Sequence, residues 1–164
     1  MTLAYIGIGS NLGDRRGQAL GAIRALNTLP GCRVLRASSL YDSEPWGNSA
    51  VWFVNAVAAV EVTGSAPQLL EDLLSLETTM GRVRTPGRRW EPRVIDLDLL
   101  LFGTALIATD RLVVPHPELH LRRFVLVPLA ELAPEIVHPR LGESIATLLA
   151  RVVDARDVRR LADA

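Results

Sequence analysis

The stretch Gly81–Phe102, GRVRTPGRRWEPRVIDLDLLLF, most constrains how this 164-residue chain can fold. Its first part carries Arg82, Arg84, Arg88, Arg89, Arg93 and Trp90 among Pro86, Gly87 and Pro92, a composition that predicts a loop. Its end, Ile95–Phe102, is short and apolar and predicts a strand. Side chains alternate along a strand, so Asp96 and Asp98 point to one face with Cα atoms roughly 6.6 Å apart. Two carboxylates beside leucines repel each other and lose solvation if buried. A hard cation resolves both problems, and Mg²⁺ takes one or two carboxylates together with substrate phosphates. The planar guanidinium grips phosphate oxygens two at a time. A D-x-D pair alone is commonly a solvated edge, and an arginine-rich loop alone a solvated surface. The two side by side point to a Mg²⁺–nucleoside triphosphate site.

The formal net charge is zero, which gives no global field for nucleic acid or a membrane surface. All 18 basic residues are arginine, so a P-loop lysine and a Schiff-base lysine are excluded. One cysteine, Cys32, excludes an internal disulfide and a cysteine zinc cluster. The N-terminus enters a strand pattern without a signal-peptide pattern, and the apolar runs are too short to span a bilayer. A cytoplasmic protein of one domain over residues 1–164 is the expectation, with residues 155–164 a charged, frayed tail.

Along the chain, Thr2–Ile8 predicts a strand that Gly9-Ser10-Asn11-Leu12-Gly13-Asp14 breaks, with Asp14 capping a helix over Arg15–Asn27. Cys32–Tyr41 predicts a second strand, Asp42–Ala50 a loop and Val51–Val62 a third strand. Asn55 is an amide within that apolar strand, on the face of Phe53. It is either satisfied by neighbouring backbone or part of a pocket for a flat heterocycle. Ser65 and Gln68 predict a capping box opening a helix to about Thr79, ended by Gly81. Glu77 lies off its leucine stripe. After the aspartate strand, Ala105–Val114 predicts a hairpin partner containing Arg111. His116 sits between Pro115 and Pro117, ahead of Arg122, Arg123 and Phe124, which suits a phosphate-facing role. His120 and His138 read as structural or surface residues. Val125–Leu132 packs, and Glu143–Val153 predicts an amphipathic helix. The order is that of an α+β, ferredoxin-like βαββαβ core: an antiparallel sheet with helices on one face, extended by a C-terminal hairpin strand and helices.

The segments AYIGIGSNLGD, YDSEPWG with FVNAV, LETTMGRVR, RRWEPRVIDLDLLLFG and VVPHPELHLRRFVLVPLAELAP together resemble the 6-hydroxymethyl-7,8-dihydropterin pyrophosphokinase family of folate biosynthesis. They span roughly Ala4–Pro139. The resemblance implies transfer of the β,γ-pyrophosphoryl group of ATP to the pterin hydroxymethyl oxygen, releasing AMP. It implies two Mg²⁺ ions on Asp96 and Asp98, with Arg82 and Arg93 also catalytic. It implies ATP contacts from Glu77, Arg84, Trp90, Arg93, Leu99, Arg111, His116 and Arg122. It places the pterin between Phe53 and Phe124, beside Gly9, Asn11, Ser43, Glu44, Pro45, Trp46, Asn55 and Trp90. The chain departs from the family pattern at Phe53, Glu91 and Pro117, and its Pro86–Gly87 stretch is one residue longer, so Arg88 and Arg89 match no single position.

Small-molecule substrates, no nucleic-acid or membrane partner, and a monomer are the expected associations. The loops Asp42–Ala50 and Arg82–Arg93 are expected to close over both substrates and keep water from the transferred group. The alternative is another two-metal enzyme on the same core, a nucleotidyl transferase or cyclase. It accounts for the acids and arginines but not for Phe53, Asn55 and Phe124.

Overall fold

The computed structural model describes residues 1–45, 51–83, 86 and 92–162. Within them lie β1 (Thr2–Ser10), α1 (Arg15–Leu26), β2 (Cys32–Ala37), β3 (Tyr41–Ser43), β4 (Phe53–Val62) and α2 (Ala66–Thr79). β5 (Asp96–Phe102), β6 (Ile107–Ala108), β7 (Val113–Val114), a 3-10 turn (Leu119–Leu121), α3 (Arg123–Leu132), α4 (Ile145–Arg151) and β8 (Val158–Arg160) follow.

Six strands form one antiparallel sheet in the order β5-β1-β4-β3-β8, with β2 pairing β4 beyond β3. β2 and β3 are one interrupted strand. β2 pairs residues 58–62 of β4 and β3 pairs residues 53–55. Ser38 spans the gap: its N–H donates to Val57 O at 2.8 Å and its hydroxyl accepts Val57 N at 2.9 Å. With that strand counted once, the expected βαββαβ core is present.

The helix starts follow their caps. Asp14 accepts Gly17 N at 3.0 Å and Ser65 accepts Gln68 N at 3.3 Å. The reciprocal arm of the capping box is absent, because the Gln68 amide reaches Asp72 instead at 3.1 Å.

The two core helices lie on one face of the sheet, as expected, and the C-terminal helices cover the other. α1 and α2 pack through Ala19, Ala22, Leu26, Leu69, Leu73 and Leu76 onto Ala4, Ile6, Ile8 and alternate residues of β4. α3 and α4 pack through Leu126, Leu129, Ile145 and Leu148 onto Tyr5, Val57, Ala59, Leu100 and Leu101. A strand buried on both faces is apolar throughout, which is why β4 shows so little alternation. Each fully buried leucine of these layers contributes about 1.5–3 kcal/mol.

Three further expectations are corrected. β1 continues through Gly9 to Ser10, because Val54 and Asn55 supply a partner edge for it. Gly9 is therefore a strand residue. β6 and β7 pair with each other as a separate two-stranded sheet instead of adding to β5. The C-terminal segment is not all frayed, since β8 adds to β3.

Candidate active site

β1 runs between β4 and β5, and on the α3 side of the sheet it presents Gly7 and Gly9. Gly9 lies directly opposite Asn55 on one neighbour and Asp96 on the other; Gly7 lies opposite Val57 and Asp98. Directly opposed residues share a face, so no side chain stands between Asn55 and the two acids. The floor there is bare backbone. A Cβ on Gly9 would fall 2.9 Å from Asn55 Nδ2 and 3.5 Å from the Phe53 ring. The next row outward holds Phe53 opposite Ser43.

These two neighbouring rows contain buried polar atoms without partners among the described residues. Asn55 is 7% exposed, and its Nδ2 donates to Ile8 O at 3.4 Å. Its Oδ1 is buried and accepts nothing from the described residues, and the same holds for Ser43 Oγ. Buried polar atoms are nearly always satisfied, so this pair suits a ligand that carries donors. Phe124, in the first turn of α3, is half-buried against the second core layer, with the Arg122 guanidinium 5.5 Å from its ring centroid.

The acids are held by arginines from both ends of the loop. Arg82 Nη1 donates to Asp96 Oδ1 at 2.8 Å and Arg93 Nη1 to Asp96 Oδ2 at 3.0 Å. Arg82 also donates to Glu77 Oε2 at 2.8 Å, and that same oxygen accepts Leu97 N at 2.7 Å. Glu77 is thus buried, 2% exposed, and ties α2 to the start of β5. Its carboxylate faces inward toward Arg82 instead of lying on a solvated helix face. Gly81, at φ +99°, turns the chain so that Arg82 can fold back on the helix it has just left.

Asp98 shares the face of Asp96 but shows no direct ion pair among the described residues. Burial, then the charges of Asp96 and Glu77, push its carboxyl up to about 8, while Arg122 and Arg93 pull the other way. Repulsion of this kind is what a cation between two carboxylates removes. Among the described residues no cluster of three or more His, Cys, Asp or Glu side chains could hold a metal unaided. The donor set fits Mg²⁺ completed by ligand phosphates, because that ion takes few protein ligands.

His116 Nδ1 accepts Glu118 N at 3.2 Å, which leaves Nε2 as the nitrogen bearing the proton. Burial and then the Arg122 charge hold the imidazole below its ordinary pKa, so it is a neutral donor. Arg122 also pairs with Glu118.

Other candidates lie elsewhere. Leu99 is buried, 4% exposed, in the α1–α2 layer. Its side chain therefore points away from Asp98, leaving only its backbone for a ligand. Arg111 sits between β6 and β7 and pairs with Glu71 of α2 at 2.6 Å. The two flank a cleft of about 580 Å³ whose apolar lining includes Leu70, Ile107 and Leu112. The Asn11 side chain is taken up internally, accepting Arg93 N at 2.6 Å. Glu44 Oε1 accepts Asp157 N at 3.2 Å, and Pro45 follows it, half-buried. His138, 3% exposed, accepts Arg140 N and Leu141 N at 3.2 and 3.1 Å, a structural role as expected. Trp46, Arg84 and Trp90 lie outside the described residues, as does most of the loop whose closure was expected.

Sequence reasoning missed Tyr41, Glu131 and Asp154. Glu131 of α3 accepts Tyr41 OH at 2.5 Å and Ser39 N at 3.0 Å, holding β3 against α3. Tyr41 and Glu131 lie within the segments that carry the resemblance but drew no role from it, and Asp154 lies in none of them; the one signal is that an acid interrupts the apolar segment Phe124–Leu132.

The family model for 7,8-dihydro-6-hydroxymethylpterin-pyrophosphokinase matches residues 5–134. The chain is similar to the 2-amino-4-hydroxy-6-hydroxymethyldihydropteridine pyrophosphokinase of Methylorubrum extorquens, 45% identical over 93% of this chain and 94% of that protein. It is also similar to that of Pseudomonas aeruginosa, 44% identical over 89% of each. Among solved structures it resembles an HPPK-DHPS chain crystallised with substrates, with TM-score 0.72 at 13% identity over 91% of this chain. A Plasmodium falciparum HPPK-DHPS gives TM-score 0.71 at 16% identity over 92% of this chain. This chain spans 43% and 44% of those two structures, and the likeness to them concerns the fold.

Proposed function

The chain belongs to the 7,8-dihydro-6-hydroxymethylpterin-pyrophosphokinase family, and from that premise we propose which of its residues carry the family reaction. The reaction is pyrophosphoryl transfer from ATP to the hydroxymethyl oxygen of 6-hydroxymethyl-7,8-dihydropterin, giving AMP and the pterin diphosphate, in folate biosynthesis. The observation that carries the assignment is the row Asn55–Gly9–Asp96, which sets an unpartnered amide oxygen and an acid pair on either side of a bare backbone floor.

The pterin lies on that floor, between Phe53 and Phe124. Asn55 Oδ1 and Ser43 Oγ accept its edge N–H groups, and two rings against its faces supply apolar burial and stacking. Its hydroxymethyl arm then points along the row toward Asp96 and Asp98. Asp96 and Asp98 hold magnesium, which when bound neutralises charge on the oxygens of the transferred group. Arg82 and Arg93 start on Asp96 and share their donors with the phosphate oxygens. Arg122 and His116 Nε2 supply further donors from the α3 side, and Arg84 and Trp90 are assigned to the same nucleotide. The role of these groups is positioning and charge stabilisation; none forms a covalent bond to the substrate.

The cleft beside Arg111 takes the nucleoside end. Along α2, Glu71 at the cleft and Glu77 at the acids are six residues apart, roughly 9 Å of helix. That is the scale of a ribose–triphosphate. No helix among the described residues is long and apolar enough to cross a membrane. We assign the protein to the cytoplasm, as a monomer of one domain acting on small molecules without nucleic acid.

The test is incubation with ATP, Mg²⁺ and the hydroxymethyl dihydropterin. AMP and a pterin diphosphate in equal amounts are expected. Inorganic pyrophosphate as the released product would instead identify a nucleotidyl transferase or cyclase.

A further inference from the structure

The C-terminal segment after α4 touches both sides of the pterin slot. On one side, Asp154 Oδ2 accepts Arg123 N at 3.2 Å. Arg123 opens α3, one residue before Phe124 and one after Arg122. On the other side, Asp157 O accepts Glu44 N at 2.9 Å, and Asp157 N donates to Glu44 Oε1 at 3.2 Å. The strand that follows pairs Val158 with Ser43 and Arg160 with Tyr41, and Arg159 lies 5.3 Å from the Trp52 ring centroid. Ser43 and Glu44 border Phe53 on one wall, and Arg123 carries Phe124 on the other.

We propose that residues 154–160 are a strap that sets the separation of the two aromatic walls of the pterin slot, with Asp154 as its positioning residue. This rests on the assignment of the pterin to the space between Phe53 and Phe124. Three residues of extended chain reach at most about 10 Å, so the link from Asp154 to Asp157 limits how far the α3 start can move from the β3 end. A flat ring between two stacked faces needs a gap of similar scale, roughly 7 Å between flanking ring planes. A looser gap loses contact on one face, because dispersion falls off within an ångström.

Asp154 is built for the task. Its side chain is 3% exposed, and Oδ1 accepts Arg156 N and Nη1 at 3.1 and 3.0 Å while Oδ2 holds the helix start. A carboxylate at a helix N-terminus is favoured by the helix dipole as well as by the N–H it accepts. It touches neither substrate, so it acts only through Arg123 and Phe124.

The experiment uses the full chain with Asp154→Ala and, should that variant fold poorly, Asp154→Asn, which keeps one acceptor oxygen and loses the charge. 6-Hydroxymethylpterin is titrated into protein saturated with Mg²⁺ and a non-hydrolysable ATP analogue, and the analogue is titrated separately. Loss of a helix-start acceptor corresponds to about a tenfold change in an equilibrium, so pterin Kd is expected to rise about tenfold in the alanine variant. The analogue is expected to lose less affinity than the pterin, about threefold: of its assigned contacts only Arg122 adjoins the strap's anchor at Arg123, while Arg82, Arg93, Arg111 and His116 lie on elements that the strap does not touch. An unchanged pterin Kd in a folded variant, or an equal rise for both ligands, overturns the proposal. Asn55→Ala serves as the separate arm. If it leaves pterin affinity intact, the slot itself is wrongly assigned, whatever Asp154 does.

Discussion

Asn11 and Arg93 hold each other through a reciprocal pair of hydrogen bonds: Asn11 N donates to Arg93 O at 2.9 Å, and Asn11 Oδ1 accepts Arg93 N at 2.6 Å. Asn11 follows β1 and Arg93 precedes β5, so the pair closes the adjacent ends of two neighbouring strands. It also sets the backbone from which the Arg93 guanidinium reaches Asp96. Asn11→Ala removes the side-chain arm and leaves Arg93 N without it. The expected cost is about 1–3 kcal/mol of stability, the range for a buried group left unsatisfied. Turnover should fall by about tenfold or more with pterin affinity changed less, because a displaced arginine is a positioning fault. Urea unfolding and steady-state kinetics on the same preparation check both.

Glu77 holds two groups with one oxygen. Replacement by glutamine keeps an acceptor for Leu97 N but removes the charge beside Arg82. Replacement by alanine removes both and leaves Arg82, whose side chain is 8% exposed, with one carboxylate fewer in a nearly dry setting. Breaking a buried pair on one side costs about 3–5 kcal/mol. Glu77→Ala should therefore unfold at distinctly lower urea than Glu77→Gln, with the parent highest. A Glu77→Gln midpoint equal to the parent's would show that Arg82 does not need the charge, and equal midpoints for the two variants would show that Leu97 N does not need the acceptor.

Gly9 separates two roles by position. A Cβ there meets Asn55 Nδ2 at 2.9 Å and the Phe53 ring at 3.5 Å and leaves the α1–α2 core untouched. Gly9→Ala is expected to raise the pterin KM by about tenfold or more while stability changes by less than about 1 kcal/mol, since the shifted groups border the slot and not the core. The ATP KM should stay near the parent value.

How much of this was legible in the sequence follows from the range of each interaction. Alternation within one strand placed Asp96 with Asp98 and Phe53 with Asn55. Alternation also set Leu99 opposite to Asp98, a point that the family resemblance overrode when Leu99 was counted among the ATP contacts. What no single strand carries is the register between strands, so Asn55, Gly9 and Asp96 could not be seen as one row. The second layer of helices was foreshadowed by the unbroken apolar run of β4. β8 was not, because a strand of Val158, Arg159 and Arg160 has neither length nor alternation and exists only because β3 offers an edge. Glu77 showed only as an acid off its leucine stripe, since its partners Arg82 and Leu97 are brought to it by a turn and a strand further along.

The acid pair makes the last prediction, concerning pH. The Asp98 carboxyl is raised to about 8 in the folded chain, from 3.8 when unfolded. The folded state therefore holds a proton that the unfolded state has already released. Stability from this group is fully present below pH 3.8 and is lost as pH rises through about 8. Without metal, the parent should lose stability between pH 5 and 9 relative to Asp98→Asn, which stays neutral across that range. The difference between the two curves isolates Asp98 from groups shifted the other way, such as Asp154 and Glu131. Magnesium competes with the same proton, so its binding together with an ATP analogue should tighten as pH rises toward 8 and release protons into a weak buffer. Calorimetry in buffers of different ionisation enthalpy measures that release. Parallel stability curves for parent and Asp98→Asn would show that the folded chain does not raise the Asp98 carboxyl, and no proton release at pH 7 would show that magnesium does not displace a proton from the acid pair.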